Sequence, residues 1–180
     1  MDIDSIIVLY RTRGGIAYGG ESVSQLDHAL QCALLARLAG EPDEVIAGAL
    51  LHDLGHLLES GTDSLPTDRV DHRHQIIGEQ ALARTMSSRV AACVRLHVDA
   101  KRYLCATEPD YLSGLSPVSV KSLGLQGGPF DRDQANRFID QPFADDAVRV
   151  RRYDDQAKIP GQVTPLLDEF VPLLRRLSAW

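Results

Sequence analysis

Histidines and aspartates able to share a metal recur through this chain beside apolar, helix-like segments. In Leu50-Leu51-His52-Asp53-Leu54-Gly55-His56, a His-Asp pair interrupts an apolar run. Adjacent helix positions point about 100° apart, so such a pair can address two neighbouring metal ions, the imidazole giving a nitrogen and the carboxylate a bridging oxygen. A carboxylate buried among leucines without a partner is very unfavourable, so a buried Asp53 implies a cation, a metal or several donors. His28 lies upstream on an apolar helical segment, His74 and His97 downstream on two more, and Asp154 follows a basic, strand-like stretch. With His56, five of the six histidines can be read as parts of one buried metal site.

The elements that must position these groups are helices. Apolar residues at 23, 26, 30, 34 and 38 predict a helix over Val23 to Ala39, ended by Gly40. Pro42, Asp43 and Glu44 open a second helix running to about Leu58, with His52 and His56 sharing its face. Residues 60 to 72 read as a polar loop, the natural place for a lid or variable insertion. His74 starts a helix through Met86. Ser87 and Ser88 cap another to about Leu104, and Thr164-Pro165 cap a last one with an apolar face of Leu166, Leu167, Phe170, Leu174 and Leu177. Residues 105 to 160 are expected to hold short helices and loops. No internal repeat is visible.

Val90, Cys93, Val94, His97, Lys101 and Leu104 form one stripe at helical spacing, so His97 and Lys101 point where core residues point. A lone lysine there usually runs its stem out to solvent. One turn beyond a candidate metal ligand, however, an anionic group of a metal-bound substrate would offset its charge. Lys101 is therefore expected to bind an anion.

The 180 residues are 44% hydrophobic, enough for one ordinary domain with a real core. A net charge of −6 argues against a nucleic-acid surface, despite the cluster Arg149, Arg151 and Arg152. Arg149 and Arg152 read as a solvated edge, while Arg151 lies three positions before Asp154. No segment resembles a signal peptide or a membrane span, and the three cysteines, Cys32, Cys93 and Cys105, lack CxxC spacing. A soluble, cytoplasmic protein with reduced thiols is expected, its oligomeric state open.

The order H…HD…H…H…D resembles the HD-domain superfamily, an all-α helical bundle around a buried dinuclear metal site, and the likeness spans residues 1–180 as a single HD domain. It implies metal ligation by His28, His52, Asp53, His74, His97 and Asp154, with His74 preferred over His72 and Asp154 over Asp155 by register. Tyr18-Gly19-Gly20-Glu21, His97-Val98-Asp99-Ala100-Lys101-Arg102-Tyr103-Leu104, Leu125-Gln126-Gly127-Gly128-Pro129 and Arg151-Arg152-Tyr153-Asp154-Asp155-Gln156-Ala157-Lys158 further resemble the PhnZ-like branch, mixed-valent di-iron oxygenases of organophosphonate catabolism. That branch implies two iron ions, Fe(II)/Fe(III), with O2 as co-substrate. The implied reaction is oxidative cleavage of the C–P bond of a 1-hydroxy-alkylphosphonate, such as 2-amino-1-hydroxyethylphosphonate or an N-methylated analogue. The products are phosphate and a carboxylic acid such as glycine or glycine betaine. It also implies substrate contacts from His56, Lys101, Ser119, Ser122, Gln126, Arg151 and Lys158, and control of the oxygen site by Tyr18 and Glu21, whose neighbouring glycines permit movement. The alternative is a dinuclear HD phosphohydrolase acting on a phosphate ester or nucleotide, which shares all six ligands.

Overall fold

Capping side chains set the starts of several helices in this molecule. The structure is a computed structural model describing residues 1–59 and 73–178. The polar loop expected at 60–71 and residue His72 lie outside the described residues. Among the described residues there are eleven helices and no strand, only isolated bridges between Ala17 and Ser24 and between Met86 and Ser178.

α1 (Ile3–Arg13), for which the sequence reading has no counterpart, starts at Asp2, whose carboxylate accepts from Ser5 N–H. It buries Ile3, Ile6, Ile7 and Tyr10 on one face, and the Tyr10 hydroxyl donates to Leu50 O at 2.7 Å. α2 (Gln25–Leu38) begins two residues later than the apolar pattern predicts, because Ser24 and Asp27 form a reciprocal capping box.

The single helix expected from Pro42 to about Leu58 is two, α3 (Asp43–Leu51) and α4 (Leu54–Glu59), separated by a turn at His52-Asp53. His52 Nδ1 lies 2.8 Å from Ala49 O, competing for the carbonyl that Asp53 N–H would take in an unbroken helix. The break also undoes the shared face. His52 turns toward His28, whereas His56 stacks on His74 with ring centroids 3.9 Å apart.

α5 (His74–Leu82) packs against α4 at very close range. A Cβ on Gly55 would fall 2.0 Å from His74 O, and one on Gly78 would fall 2.8 Å from Val94 Cγ1, so glycine at both positions lets the two backbones approach. α6 (Ser88–Thr107) is capped by Ser87, as the sequence suggests, and runs three residues beyond Leu104. This central helix packs against α3 and α5 as well as later helices.

α7 (Tyr111–Gly114), α8 (Pro117–Leu125) and α9 (Arg132–Ile139) are the short helices expected after residue 105. α10 (Ala144–Gln156) replaces the strand-like reading of the segment before Asp154. The alternation Val148-Arg149-Val150-Arg151 mimics a strand, yet Ala144, Ala147, Val150, Arg151 and Asp154 are buried along one helical face against α6 and α2. Arg149 is also more than a solvated edge, since it pairs with Asp146 and with Glu41 at 3.0 Å. α11 (Leu167–Leu177) starts later than Thr164-Pro165, leaving Leu166 exposed while Leu167, Phe170 and Leu174 enter the core.

Candidate metal centre

Five pieces of chain meet at one buried point. α2 brings His28, the α3–α4 break brings His52 and Asp53, the first residue of α5 is His74, α6 brings His97 and α10 brings Asp154. None of the six is more than 7% exposed.

Asp53 divides the cluster between its two oxygens. Oδ2 lies 3.3 Å from His52 Nε2 and 3.7 Å from His28 Nε2. Oδ1 lies 3.3 Å from His74 Nε2 and 3.4 Å from His97 Nε2. Asp154 joins the first half, with Oδ1 3.4 Å from His28 Nε2 and Oδ2 3.9 Å from His52 Nε2.

The histidine tautomers are set from outside the cluster. Nδ1 of His28 faces Ala157 O at 2.8 Å, that of His52 faces Ala49 O at 2.8 Å and that of His97 faces Val94 O at 2.7 Å. Those carbonyls only accept, so each Nδ1 carries the proton and each neutral ring turns an Nε2 lone pair inward. Yet the Nε2 atoms of His28 and His52 stand 3.2 Å apart, and those of His74 and His97 3.1 Å apart. Ring nitrogens at that separation need a positive charge between them, either a proton or a metal ion. Asp53 Oδ2, buried with no hydrogen-bond donor, makes the same demand. Nitrogen and carboxylate donors in two halves joined by one carboxylate fit two metal ions with a bridging Asp53.

The electrostatics agree. Burial alone would raise the Asp53 carboxyl, but the charge of His52 and the approach of the His52, His74 and His97 ring nitrogens hold it well below the usual range. Burial lowers His52 while Asp53 raises it, and the imidazolium titrates at about 9, so without a metal ion a proton on His52 Nε2 supplies the positive charge between the paired nitrogens. Burial leads the shift of His74 and His97, both of which are lowered and so stay neutral.

Beside the cluster opens a cavity of about 190 Å³. Lys101, 2% exposed, lines it rather than running to solvent. Its Nζ donates to Ser122 Oγ at 2.7 Å, and Lys158 Nζ donates to Ser119 Oγ at 3.0 Å. Gln126 contributes a buried Oε1 with no donor. Tyr18 stacks on His28 at 3.9 Å between centroids and donates to Asp154 Oδ1 at 3.3 Å. Glu21 accepts from Ser116 at 2.6 Å and lies 3.8 Å from Lys158. His56 and Arg151 complete the polar wall, with Val98, Val118 and Leu125 apolar among it.

All fifteen residues singled out in the sequence thus lie in the cluster or on this cavity. Asp155 does not. It sits near the end of α10, half-buried against Arg151. The sequence reading passed over Cys32, whose Sγ lies 3.7 Å from His28 Nε2. Its one signal was the four-residue spacing from His28. Ser116, which caps α8 and holds Glu21, carried only the signature of a cap before Pro117.

An all-helical domain with a His-Asp cluster of this order belongs to a defined class. Residues 26–129 match the HD domain, and the chain belongs to the HD-domain family. It is 41% identical over 94% of its length to the [1-hydroxy-2-(trimethylamino)ethyl]phosphonate dioxygenase (glycine-betaine-forming) of Leisingera caerulea, covering 86% of that protein. It is also 41% identical over 93% of its length to the hydroxymethylphosphonate dioxygenase of Gimesia maris, covering 84%. An uncharacterized protein of Acanthamoeba polyphaga mimivirus is 33% identical over 96% of the chain and 80% of its own length.

Proposed function

We propose that this chain is a single-domain, di-iron, O2-dependent oxygenase that cleaves the C–P bond of a 1-hydroxy-alkylphosphonate. The observation that carries the reading is the cluster split by the two oxygens of Asp53, beside a cavity whose lining includes the ammonium groups of Lys101 and Lys158. Both dioxygenase relatives are named for 1-hydroxylated phosphonates, one with a trimethylamino group and one without.

His28, His52 and Asp154 would hold one metal ion and His74 and His97 the other, with Asp53 bridging. Bound there, the iron pair supplies oxygen activation and the redox change. Lys101, Lys158, Ser119 and Ser122 offer ammonium and hydroxyl groups to phosphonate oxygens, and His56 and Gln126 extend that wall. These contacts orient C1 toward the cluster, and the small cavity limits the water beside it. Tyr18, stacked on His28 and bonded to Asp154, covers the first half of the cluster until substrate displaces it, with Glu21 moving on the same glycine-bearing loop.

The overall change balances as R–CH(OH)–PO3²⁻ + O2 → R–COO⁻ + HPO4²⁻ + H⁺. C1 loses two bonds, to hydrogen and phosphorus, and leaves as carboxylate. The chain's reduced thiols are in keeping with a cytoplasmic enzyme, and among the described residues no helix is long and apolar enough to cross a membrane.

The test is phosphate release by iron-loaded protein from hydroxymethylphosphonate, 2-amino-1-hydroxyethylphosphonate and its trimethylammonium analogue, with and without oxygen. One O2 consumed per phosphate, with the matching carboxylic acid, is expected. Anaerobic hydrolysis of a phosphate ester, with no phosphonate turnover, would overturn the oxygenase reading in favour of a phosphohydrolase.

A further inference from the structure

Arg151 is 4% exposed and reaches the cluster through one bond, from Nη1 to Asp154 Oδ2 at 2.6 Å. The rest of its side edge is committed elsewhere. Nη2 donates to Asp155 Oδ1, and Nε lies 3.3 Å from Asp155 Oδ2 and 3.2 Å from the Tyr111 hydroxyl oxygen. The Tyr111 hydroxyl gives its own proton to Asp155 Oδ2. Tyr111 comes from α7, a four-residue helix with no buried residue, so this reach into the interior is not explained by core packing.

A guanidinium is a rigid planar fork that favours two parallel bonds to one carboxylate. Beside Asp154 alone it would grip both oxygens. Asp154 Oδ1 faces His28 Nε2 at 3.4 Å and accepts from the Tyr18 hydroxyl. We propose that Tyr111 and Asp155 are positioning residues that occupy the side edge of Arg151, restrict it to one bond with Asp154 Oδ2, and so keep Asp154 Oδ1 for the metal. This rests on the dinuclear reading above and assigns roles to two residues outside it.

The asymmetry makes the inference testable, because among the described residues the hydrogen bonds of Arg151 reach Asp154 and not the His74–His97 half. Metal-stripped wild type, Tyr111→Phe and Asp155→Asn would be titrated with Co(II), following visible absorption and stoichiometry, and the metal-free melting midpoints compared. Loss of a ligand's outer hydrogen-bond partner typically costs 10- to 100-fold in metal affinity. We expect about that loss for one of two equivalents, the other unchanged, and a fall in kcat for phosphonate turnover with KM nearly constant. Tyr111→Phe keeps the ring and should fold even where Asp155→Asn does not. Wild-type affinity at both equivalents in the variants, or equal weakening of both with a lowered metal-free midpoint, would overturn the inference. Two equivalents in wild type keep the dinuclear reading standing through such a failure, whereas no Co(II) uptake by wild type would sink both.

Discussion

His28 and His52 bring their Nε2 atoms to 3.2 Å, while each ring's Nδ1 is already turned to a backbone carbonyl. The pair is arranged to share a positive charge, a proton or a metal ion, and Asp53 repeats the arrangement with His74 and His97 on its other oxygen. The consequences can be checked one by one.

Wild-type protein should hold two metal ions per chain. His28→Ala should lose one, His74→Ala the other, and Asp53→Ala both, as read by metal analysis after exhaustive dialysis. Stripping the metal should lower stability, because an ion present at 100 times its Kd adds about 2.7 kcal/mol per site. In a chain of this size that is roughly 5–10 °C in melting temperature for each ion.

Gly55→Ala should be among the most damaging small substitutions. Its Cβ would stand 2.0 Å from His74 O, and overpacking against backbone costs about 3 kcal/mol or more. Thermal unfolding should report the loss. Metal analysis should show the His74–His97 ion depleted before the other, since α5 must move away from Asp53.

Lys101→Met should raise KM by about 10- to 150-fold, the range for a lost hydrogen bond to a charged group. Burial, then the nearby charge of Arg151, pulls the Lys101 ammonium down to about 8. Below that pH it is charged and holds an anion. As pH rises through about 8 the proton leaves, so wild-type KM should climb there. A Lys101→Met profile with the same climb would assign it to another group.

Gln126→Met should separate stability from binding. The buried Oε1 has no donor, and such an orphan costs about 1–3 kcal/mol. An apolar side chain of similar length should leave the melting temperature equal or higher while KM rises. A fall in melting temperature with unchanged KM would show that Gln126 serves the fold instead.

Tyr18→Phe keeps the ring stacked on His28 but removes the bond to Asp154. Oxygen uptake without substrate should increase and phosphate formed per O2 should fall. Unchanged coupling and an unchanged substrate-free spectrum would remove the gating role.

Much of the local structure was legible because short-range chemistry decides it. Ser87, ahead of Val90, starts its helix by satisfying a free N–H group, as the sequence suggests, whereas the Ser24–Asp27 capping box went unread and moved the start of α2 by two residues. The stripe from Val90 to Leu104 put His97 and Lys101 on the inward face, where both are buried. α1 went unread although Ile3, Ile6, Ile7 and Tyr10 carry its pattern, and α10 was obscured because Val148-Arg149-Val150-Arg151 alternates with the period of a strand.

By itself the sequence determined which residues could ligate and, for α2, α5, α6 and α11, roughly where a helix would form and which face would be apolar, since those depend on side-chain type and spacing of a few residues. Tertiary structure decided the rest. It broke the helix at His52-Asp53, so that the two oxygens of Asp53 serve different histidine pairs, and brought α4 against His74 across Gly55. It also separated Asp154 from Asp155, adjacent residues of α10 sent to the histidines and to Arg151. Such choices depend on how helices far apart in sequence pack, and only the assembled core supplies the distances that make one carboxylate a candidate ligand and its neighbour a support.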